Sequence, residues 1–369
     1  MNDPLPDDVR ATLAQYHFDR IPFDTLRERL SRTASAESLH MIGDRVEPPD
    51  ASAVDALPAR DSDAWRTLET DGRAAIDRGE LGVLILAGGM ATRFGSAVKA
   101  LSPVFEGRDV RFLDAKLADI RHVSPKGKID TNVLTSFTTH DAIATAFADA
   151  PVHLTPQFVS LRLTAAGTLF RTPNQRVSLY APGHGDVPDA LTVSGALARM
   201  KAAGVRTVLL SNVDNLAATV EPALFAKHRA LGAKITVELV SKRPGDKGGL
   251  PVRRDGKLVL AEAFRLPPEF PHDEFPMFNT NTLWIDIDAL EGDCPWTWCV
   301  ARKKVDGREA IQFERLVGEL TWWRPTKYVH VSRDGAESRF IPVKDPDDLR
   351  AAQTQLDEVL STRAGLRRG

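Results

Sequence analysis

Long apolar runs are missing from this sequence. Nowhere in its 369 residues does an apolar stretch approach the roughly 20 residues a membrane helix needs, so no membrane partner is expected. Cysteine is scarce: Cys294 and Cys299, both within CPWTWC, are the only two. Their spacing is not C-x-x-C and no histidine lies close enough to complete a zinc motif, so a structural or incidental role is expected. Two thiols build no disulfide framework, which fits a reducing compartment and makes the cytoplasm the expected location. An excess of one charge is lacking too. With 48 basic and 50 acidic residues the formal net charge is -2, so nothing pulls the chain as a whole toward nucleic acid. The opening MNDPLPDDVR is acidic and has no apolar h-region, so it is not expected to act as a signal peptide. Neither an internal repeat nor a low-complexity tract is found.

What is present has globular proportions, 43% hydrophobic and 27% charged. The length allows one large domain with additions, or two domains, with a core that needs no covalent staples. Residues 8–31 carry apolar positions at helical spacing (Val9, Leu13, Tyr16; Phe23, Leu26, Leu30), with Pro22 where a second helix would begin. Residues 33–62, rich in Ser, Ala, Asp and Pro, read as a linker or draped loop, and a helix is expected over Trp65 to Asp77. From Leu81 onward short apolar runs (LGVLIL, NVLTSF, VRTVLLSN, AKITVELVS) alternate with helical patterns (112–123, 140–150, 190–204). That alternation predicts an α/β fold, a three-layer sandwich around a mixed, mainly parallel sheet, with an N-terminal helical extension. The runs at 257–264 and 281–288 are expected to extend the sheet, and helices are expected over Ile311–Leu320 and Asp345–Leu360. The expected divisions are 1–78 for the extension and linker, 79–345 for the α/β domain, and 346–369 for a C-terminal helix and tail.

The run LILAGGMATRFG (84–95) ends a strand on a glycine pair. In open α/β sheets ligands bind at the carboxyl ends of strands, and glycines there let main-chain N–H groups approach phosphate oxygens. Thr92, Arg93 and Lys99 add a hydroxyl and two cations. The loop has no G-x-G-x-x-G, and Gly95 is followed by Ser96 rather than G-K-[ST], so it is neither a dinucleotide fingerprint nor a Walker loop. A plain strand-to-helix turn with a surface arginine is the alternative.

The segment LAGGMATRFGSAVKAL resembles the L-x-G-G-x-G-T-x-x-G-x-x-x-P-K signature of sugar-nucleotide pyrophosphorylases. Ala91 stands where that signature has glycine, Val98 where it has proline, and the segment before Lys99 is one residue short. Further segments follow in family order. APGHGD (181–186) resembles P-P-G-H-G-D, LLSNVDNLAATV (209–220) resembles S-N-I-D-N-L-G-A-T-V, and FNTNTLW (278–284) resembles F-N-T-N-N-L-W. VARKKVDGREAIQFERLVG (300–318) and SRFIPVKDPDDL (338–349) also have counterparts, the former one residue short. The chain therefore resembles the UTP–glucose-1-phosphate uridylyltransferase family from about residue 81 to 350. It is expected to be a compact member without the C-terminal β-helix domain of eukaryotic relatives, and hence a monomer or small dimer.

The resemblance implies a nucleotide-diphospho-sugar transferase-like fold and a reaction between two small molecules, UTP and a sugar 1-phosphate, with Mg²⁺ as cofactor. It assigns Lys303, Lys99 and Arg93 to the reacting phosphates. Ala87, Gly88, Gly89, Thr92, Gln157 and Gly183 fall to UTP, with Gln157 reading the uracil edge. His184, Asn212, Asn281 and Lys344 fall to the sugar phosphate, and Asp214 to the metal. Each has a plainer alternative: Asp214 as a helix N-cap, His184 as a turn histidine, and Arg302-Lys303-Lys304 as a solvated basic surface. Trp284, Trp322 and Trp323 are expected to pack rather than to bind. GHGD favours glucose over galactose or N-acetylglucosamine as the sugar. A glycosyltransferase would place D-x-D at a strand end, whereas the only D-x-D here, Asp61-Ser62-Asp63, lies in the linker. A catalytically dead nucleotide-binding regulator is the third alternative, against which Lys99, Asp214 and Lys303 are all retained.

Overall fold

The computed structural model describes residues 5–33, 35–43, 45–91, 97–105, 107–246, 248–272 and 274–366. The chain opens with α1 (Asp7–Gln15), α2 (Phe23–Arg32), β1 (Val46–Glu47) and α3 (Asp63–Asp77). There follow β2 (Leu81–Leu86), β3 (Met90–Ala91), β4 (Ala97–Val98), α4 (Phe112–Val123), β5 (Asp130–Thr135), α5 (His140–Ala146) and β6 (His153–Pro156). The middle of the chain supplies β7 (Ser160–Leu161), β8 (Leu179–Tyr180), α6 (Val187–Val193), α7 (Ala196–Ala202), β9 (Thr207–Asn212), α8 (Pro222–Leu231) and β10 (Ile235–Ser241). Two hairpins, β11 (Gly249–Arg254) with β12 (Lys257–Glu262) and β14 (Cys299–Val305) with β15 (Arg308–Glu314), flank β13 (Met277–Asp286). Then come α9 (Leu320–Trp323), β16 (Thr326–His330) and α10 (Pro346–Arg363).

Seven strands form the central sheet in the order β16-β10-β13-β9-β2-β5-β6. Only β13 runs against its neighbours; the other pairings in the sheet are parallel. Both faces are covered, which is why the strands read as unbroken apolar runs. Successive residues of β2 alternate between two clusters. Leu84 and Leu86 pack with α1, α2, α6, α7 and β15, whereas Val83 and Ile85 pack with α3, α4, α8 and α10. The C-terminal helix belongs to the second layer through buried Leu356, Val359 and Leu360.

Four expectations are corrected. The 257–264 run does not extend the central sheet: β12 pairs with β11, and β1 from the expected linker pairs with β11 to make a separate three-stranded sheet. The two-residue turn Asp255-Gly256, with φ of 49° and 77°, folds the hairpin back on itself, as D-G turns do. The 311–320 segment is not a helix. It is the end of β15 followed by a 3-10 turn, Val317–Glu319, and the short α9. Gln312 is buried there because Arg162 Nε donates to it at 3.0 Å, which hides the two-residue alternation. The 190–204 helix is two helices, α6 and α7, separated at Ser194-Gly195, where Gly195 adopts φ 75°. The 33–62 stretch is not merely draped. His40 and Ile42 are buried, and His40 accepts the Val300 amide at Nδ1 over 3.0 Å.

Candidate functional site

A cleft of about 310 Å³ opens at the carboxyl ends of β2 and β9, lined by Gly88, Gly89, Lys99, Gln157, Gly183, His184, Asn212 and Asp214 over an apolar floor that includes Leu86 and Leu134. These residues come from six separate stretches of chain. The parallel strands end together, so each loop that follows one converges on the same edge. Another cleft, of about 390 Å³ between Arg60, Trp65 and His330, has its Arg60 already paired with Glu221 and Glu337.

One end of the cleft is built around a buried amide. A Cβ on Gly88 would lie 2.2 Å from Gln157 Oε1, so the glycine makes room for a buried amide. Gln157 is tied to the sheet by its own N–H, which donates to the Thr135 carbonyl at 2.9 Å. Ala87 lies just behind, its N–H donating to Leu134 and its carbonyl accepting from Thr139 Oγ1. Gly183 bounds the cleft with φ 98°, and a Cβ there would meet the Arg315 carbonyl at 2.8 Å.

The charged centre is a closed circuit. Lys99 Nζ donates to Asp214 Oδ2 at 3.2 Å and to the Val343 carbonyl, while the Val343 amide donates to the Asp214 carbonyl at 3.0 Å. Asp214 therefore caps no helix. Among the described residues no three His, Cys, Asp or Glu side chains cluster as a metal cage. Asp214 is the carboxylate in the cleft lining. A single carboxylate in the lining fits a divalent cation such as Mg²⁺, which would take its remaining oxygen ligands from water or from a bound ligand.

The other end presents amides. Asn281 sits at φ 55° where β13 shifts register against β10, and its Nδ2 donates to Asn212 Oδ1 at 3.0 Å. A left-handed residue inside a strand is strained backbone held by its surroundings, here by Asn279 Oδ1 accepting the Asn281 amide at 3.0 Å. His184 Nδ1 accepts the Val317 N–H at 2.9 Å, which leaves the ring's proton on Nε2 as a donor. Burial lowers its pKa from 6.5 to about 4, opposed by Glu314, so the ring is neutral at pH 7.

Buried charges stand behind this end, outside the residues expected from the sequence. Arg315, 4% exposed, donates to Asp186 Oδ1 at 2.6 and 3.1 Å and to Asp189 at 2.6 Å, and lies over Trp298. Asp186 in turn accepts the Phe158 amide at 3.2 Å, so the GHGD turn and the Gln157 segment share one buried anchor. Glu262 rests against Gly249 beside the Asn279 amide. Burial raises its pKa to about 7 against the pull of Arg265. An acidic residue at the end of a predicted strand was the available signal.

Four of the expected positions that the structure describes, Ala87, Asn281, Lys303 and Lys344, are not among the residues lining the cleft. Lys303, 47% exposed on the hairpin, pairs with Glu314 at 3.2 Å, and Glu314 flanks Gly183. Lys344 is exposed, with its amide bonded to Asp348. Thr92 and Arg93 lie outside the described residues. Of the tryptophans, Trp284 packs in the core with Nε1 on Glu238, whereas Trp323 is 39% exposed, against expectation.

A family profile described as UTP–glucose-1-phosphate uridylyltransferase matches residues 23–363. The chain belongs to that family. Among curated relatives, UTP–glucose-1-phosphate uridylyltransferase 2 of Dictyostelium discoideum is 28% identical, with 85% of this chain and 65% of the relative aligned. The uridylyltransferase of Solanum tuberosum is 29% identical over 89% of this chain and 71% of its own. The chain spans 65% of the length of the Dictyostelium relative and 59% of that of a probable uridylyltransferase from Schizosaccharomyces pombe. Two Trypanosoma brucei structures share the uridylyltransferase family's fold with this chain. A UDP-N-acetylglucosamine pyrophosphorylase gives a TM-score of 0.75 at 21% identity, covering 95% of this chain and 80% of that one. A UDP-glucose phosphorylase gives 0.71 at 22%, covering 90% and 73%.

Proposed function

We propose that the protein is a uridylyltransferase that forms UDP-glucose and pyrophosphate from UTP and glucose 1-phosphate. The observation that carries this reading is the single cleft in which Gln157, the Gly88-Gly89 backbone, Lys99, Asp214 and Asn212 meet, with Asn281 bonded to Asn212 behind the lining. The sugar phosphate attacks the α-phosphorus and pyrophosphate leaves. The attacking oxygen is already ionised at neutral pH, so the site needs no general base. It must hold two polyanions in line and stabilise the charge of the transferring group.

Gln157 receives the uracil edge and the glycine amides receive phosphate. Lys99, with Arg93, neutralises phosphate charge, and Lys303 reaches in from its hairpin when the substrates displace its pairing with Glu314. His184 donates from Nε2, and Asn212 and Asn281 present amides to the hexose. Asp214 would hold Mg²⁺, which supplies charge neutralisation at the phosphate oxygens. The protein works in the cytoplasm as a monomer or small dimer. That reading is supported by two free thiols, by the lack among the described residues of a helix long and apolar enough to cross a membrane, and by the apolar face of α10 being buried on its own core.

The test is pyrophosphate release from UTP, Mg²⁺ and a panel of glucose, galactose and N-acetylglucosamine 1-phosphates, repeated with ATP and with EDTA. Turnover with UTP and glucose 1-phosphate that EDTA abolishes is expected. Equal turnover with ATP, or none with any sugar phosphate, refutes the reading.

A further inference from the structure

α4 buries a lysine and an acid among apolar neighbours. Lys116 is 3% exposed and Asp119 2%, alongside Phe112, Leu113, Ala115 and Ile120. Burying a charge pair is costly, and well-packed apolar residues commonly serve stability as well or better. Asp119 is not even fully satisfied, since its Oδ1 has no hydrogen-bond partner. What the two side chains share is a target. Lys116 Nζ donates to the Ala218 carbonyl at 2.7 Å and to Ser211 Oγ at 3.3 Å, and Asp119 Oδ2 accepts the Val220 amide at 2.7 Å.

Between Ser211 and Val220 the chain leaves β9 and carries Asn212 and Asp214 into the cleft before α8 begins. Beyond Asn212 this stretch lacks a strand ladder to hold it. Its far end is gripped instead from the layer beneath. Besides Lys116 and Asp119, Arg339 Nη1 donates to the carbonyl and hydroxyl of Thr219 at 2.7 and 3.0 Å, and Arg363 Nη1 donates to the same hydroxyl at 3.1 Å. Arg339 is also committed to Glu238. Lys116 and Asp119 come from one helix, one turn apart, and hold the loop at both ends and at Ala218.

The geometry points to Lys116 and Asp119 as positioning residues, which fix the Ser211–Val220 loop so that Asn212 and Asp214 meet the sugar phosphate and the triphosphate. Neither lines the cleft. The inference rests on the functional reading above. It predicts that the pair acts on turnover more than on nucleotide affinity, because Gly88, Gly89 and Gln157 come from other elements. A displacement of about 1 Å in a positioned group costs on the order of a hundredfold in rate.

The experiment compares wild type with Lys116→Met/Asp119→Leu, a pair of apolar replacements suited to the buried site. The expected double variant unfolds within a few degrees of wild type and loses kcat by roughly ten- to a hundredfold, well beyond any change in its metal-free affinity for UTP. Calorimetry supplies a readout independent of turnover. Affinity for UTP without metal should be preserved, while the gain in affinity on adding Mg²⁺ should be largely lost. Asp119→Asn, which keeps an acceptor for the Val220 amide, should lose several-fold less kcat than the double variant. Lys116→Met alone, in which Asp119 can take up a proton and stay buried, should show the same split, and it decides the matter if the double variant does not fold. Wild-type kcat and a wild-type Mg²⁺ gain in a folded variant would overturn the inference, as would Asp119→Asn being as damaged as the double variant. If wild type itself makes no UDP-sugar, the functional reading fails instead.

Discussion

Replacing Gly88 by alanine tests the uracil end of the cleft with a single methyl group. The added carbon would stand 2.2 Å from Gln157 Oε1 and 3.1 Å from its Cδ. Contacts that short do not persist, so the amide must retreat by about 1 Å. A hydrogen bond stretched by that amount from the usual 2.9 Å or so is no longer one. Two neutral bonds from the amide to a uracil edge, at about 0.5–1.5 kcal/mol each, sum to about 1–3 kcal/mol, or roughly 5- to 150-fold in Kd. The fold should survive. The clash falls on the far end of a flexible side chain, and the Gln157 N–H stays bonded to Thr135. UTP binding is measured by calorimetry, with thermal unfolding as the folding control, for Gly88→Ala, Gln157→Ala and the double variant. Since both substitutions remove the same interaction, the double loss should equal the larger single loss rather than their sum. UTP affinity within twofold of wild type for Gly88→Ala, or full additivity, refutes the assignment of Gln157.

Lys303→Ala should lower kcat by about a hundredfold with a smaller change in KM, the mark of an electrostatic donor used in the transition state. Lys304→Ala, its neighbour on β14, should be mild, and the reverse pattern would shift the catalytic role by one residue. His184 should make the fold acid-sensitive. Its pKa falls from 6.5 to about 4 on folding, so between those values the unfolded chain binds the extra proton. Stability is then full above pH 6.5 and is lost as pH falls toward 4, by up to about 3 kcal/mol. Urea unfolding at pH 7, 5.5 and 4.5 reads this, and a His184→Gln variant with the same pH slope as wild type contradicts it.

The central sheet was legible because both its faces are buried, so β2, β5, β9 and β10 announce themselves as apolar runs. The residues gathered in the cleft were legible for a related reason: glycines, amides and charges at strand ends have few structural duties there. What escaped was set by tertiary partners. Gln312 reads as polar but is buried by Arg162, which turned a strand into an apparent helix. The D-G turns at Asp255-Gly256 and Asp306-Gly307 were visible signals of hairpins, yet the first hairpin's sheet is completed by β1, a two-residue strand with no periodicity to read, and the second forms a sheet of its own. Arg315, Lys116 and Asp119 look like surface charges in the sequence. Only packing reveals that each is buried and anchors a loop of the site.

The most direct test of the account follows the bond that forms. Glucose 1-phosphate labelled with ¹⁸O in its non-bridging phosphate oxygens is incubated with UTP, Mg²⁺ and the protein, and the products are resolved by mass spectrometry. Attack of the sugar phosphate on the α-phosphorus predicts that all of the label appears in UDP-glucose and none in pyrophosphate, with the two products formed in equal amounts. Label in pyrophosphate or in inorganic phosphate, or a UDP-sugar that forms without pyrophosphate, would contradict it.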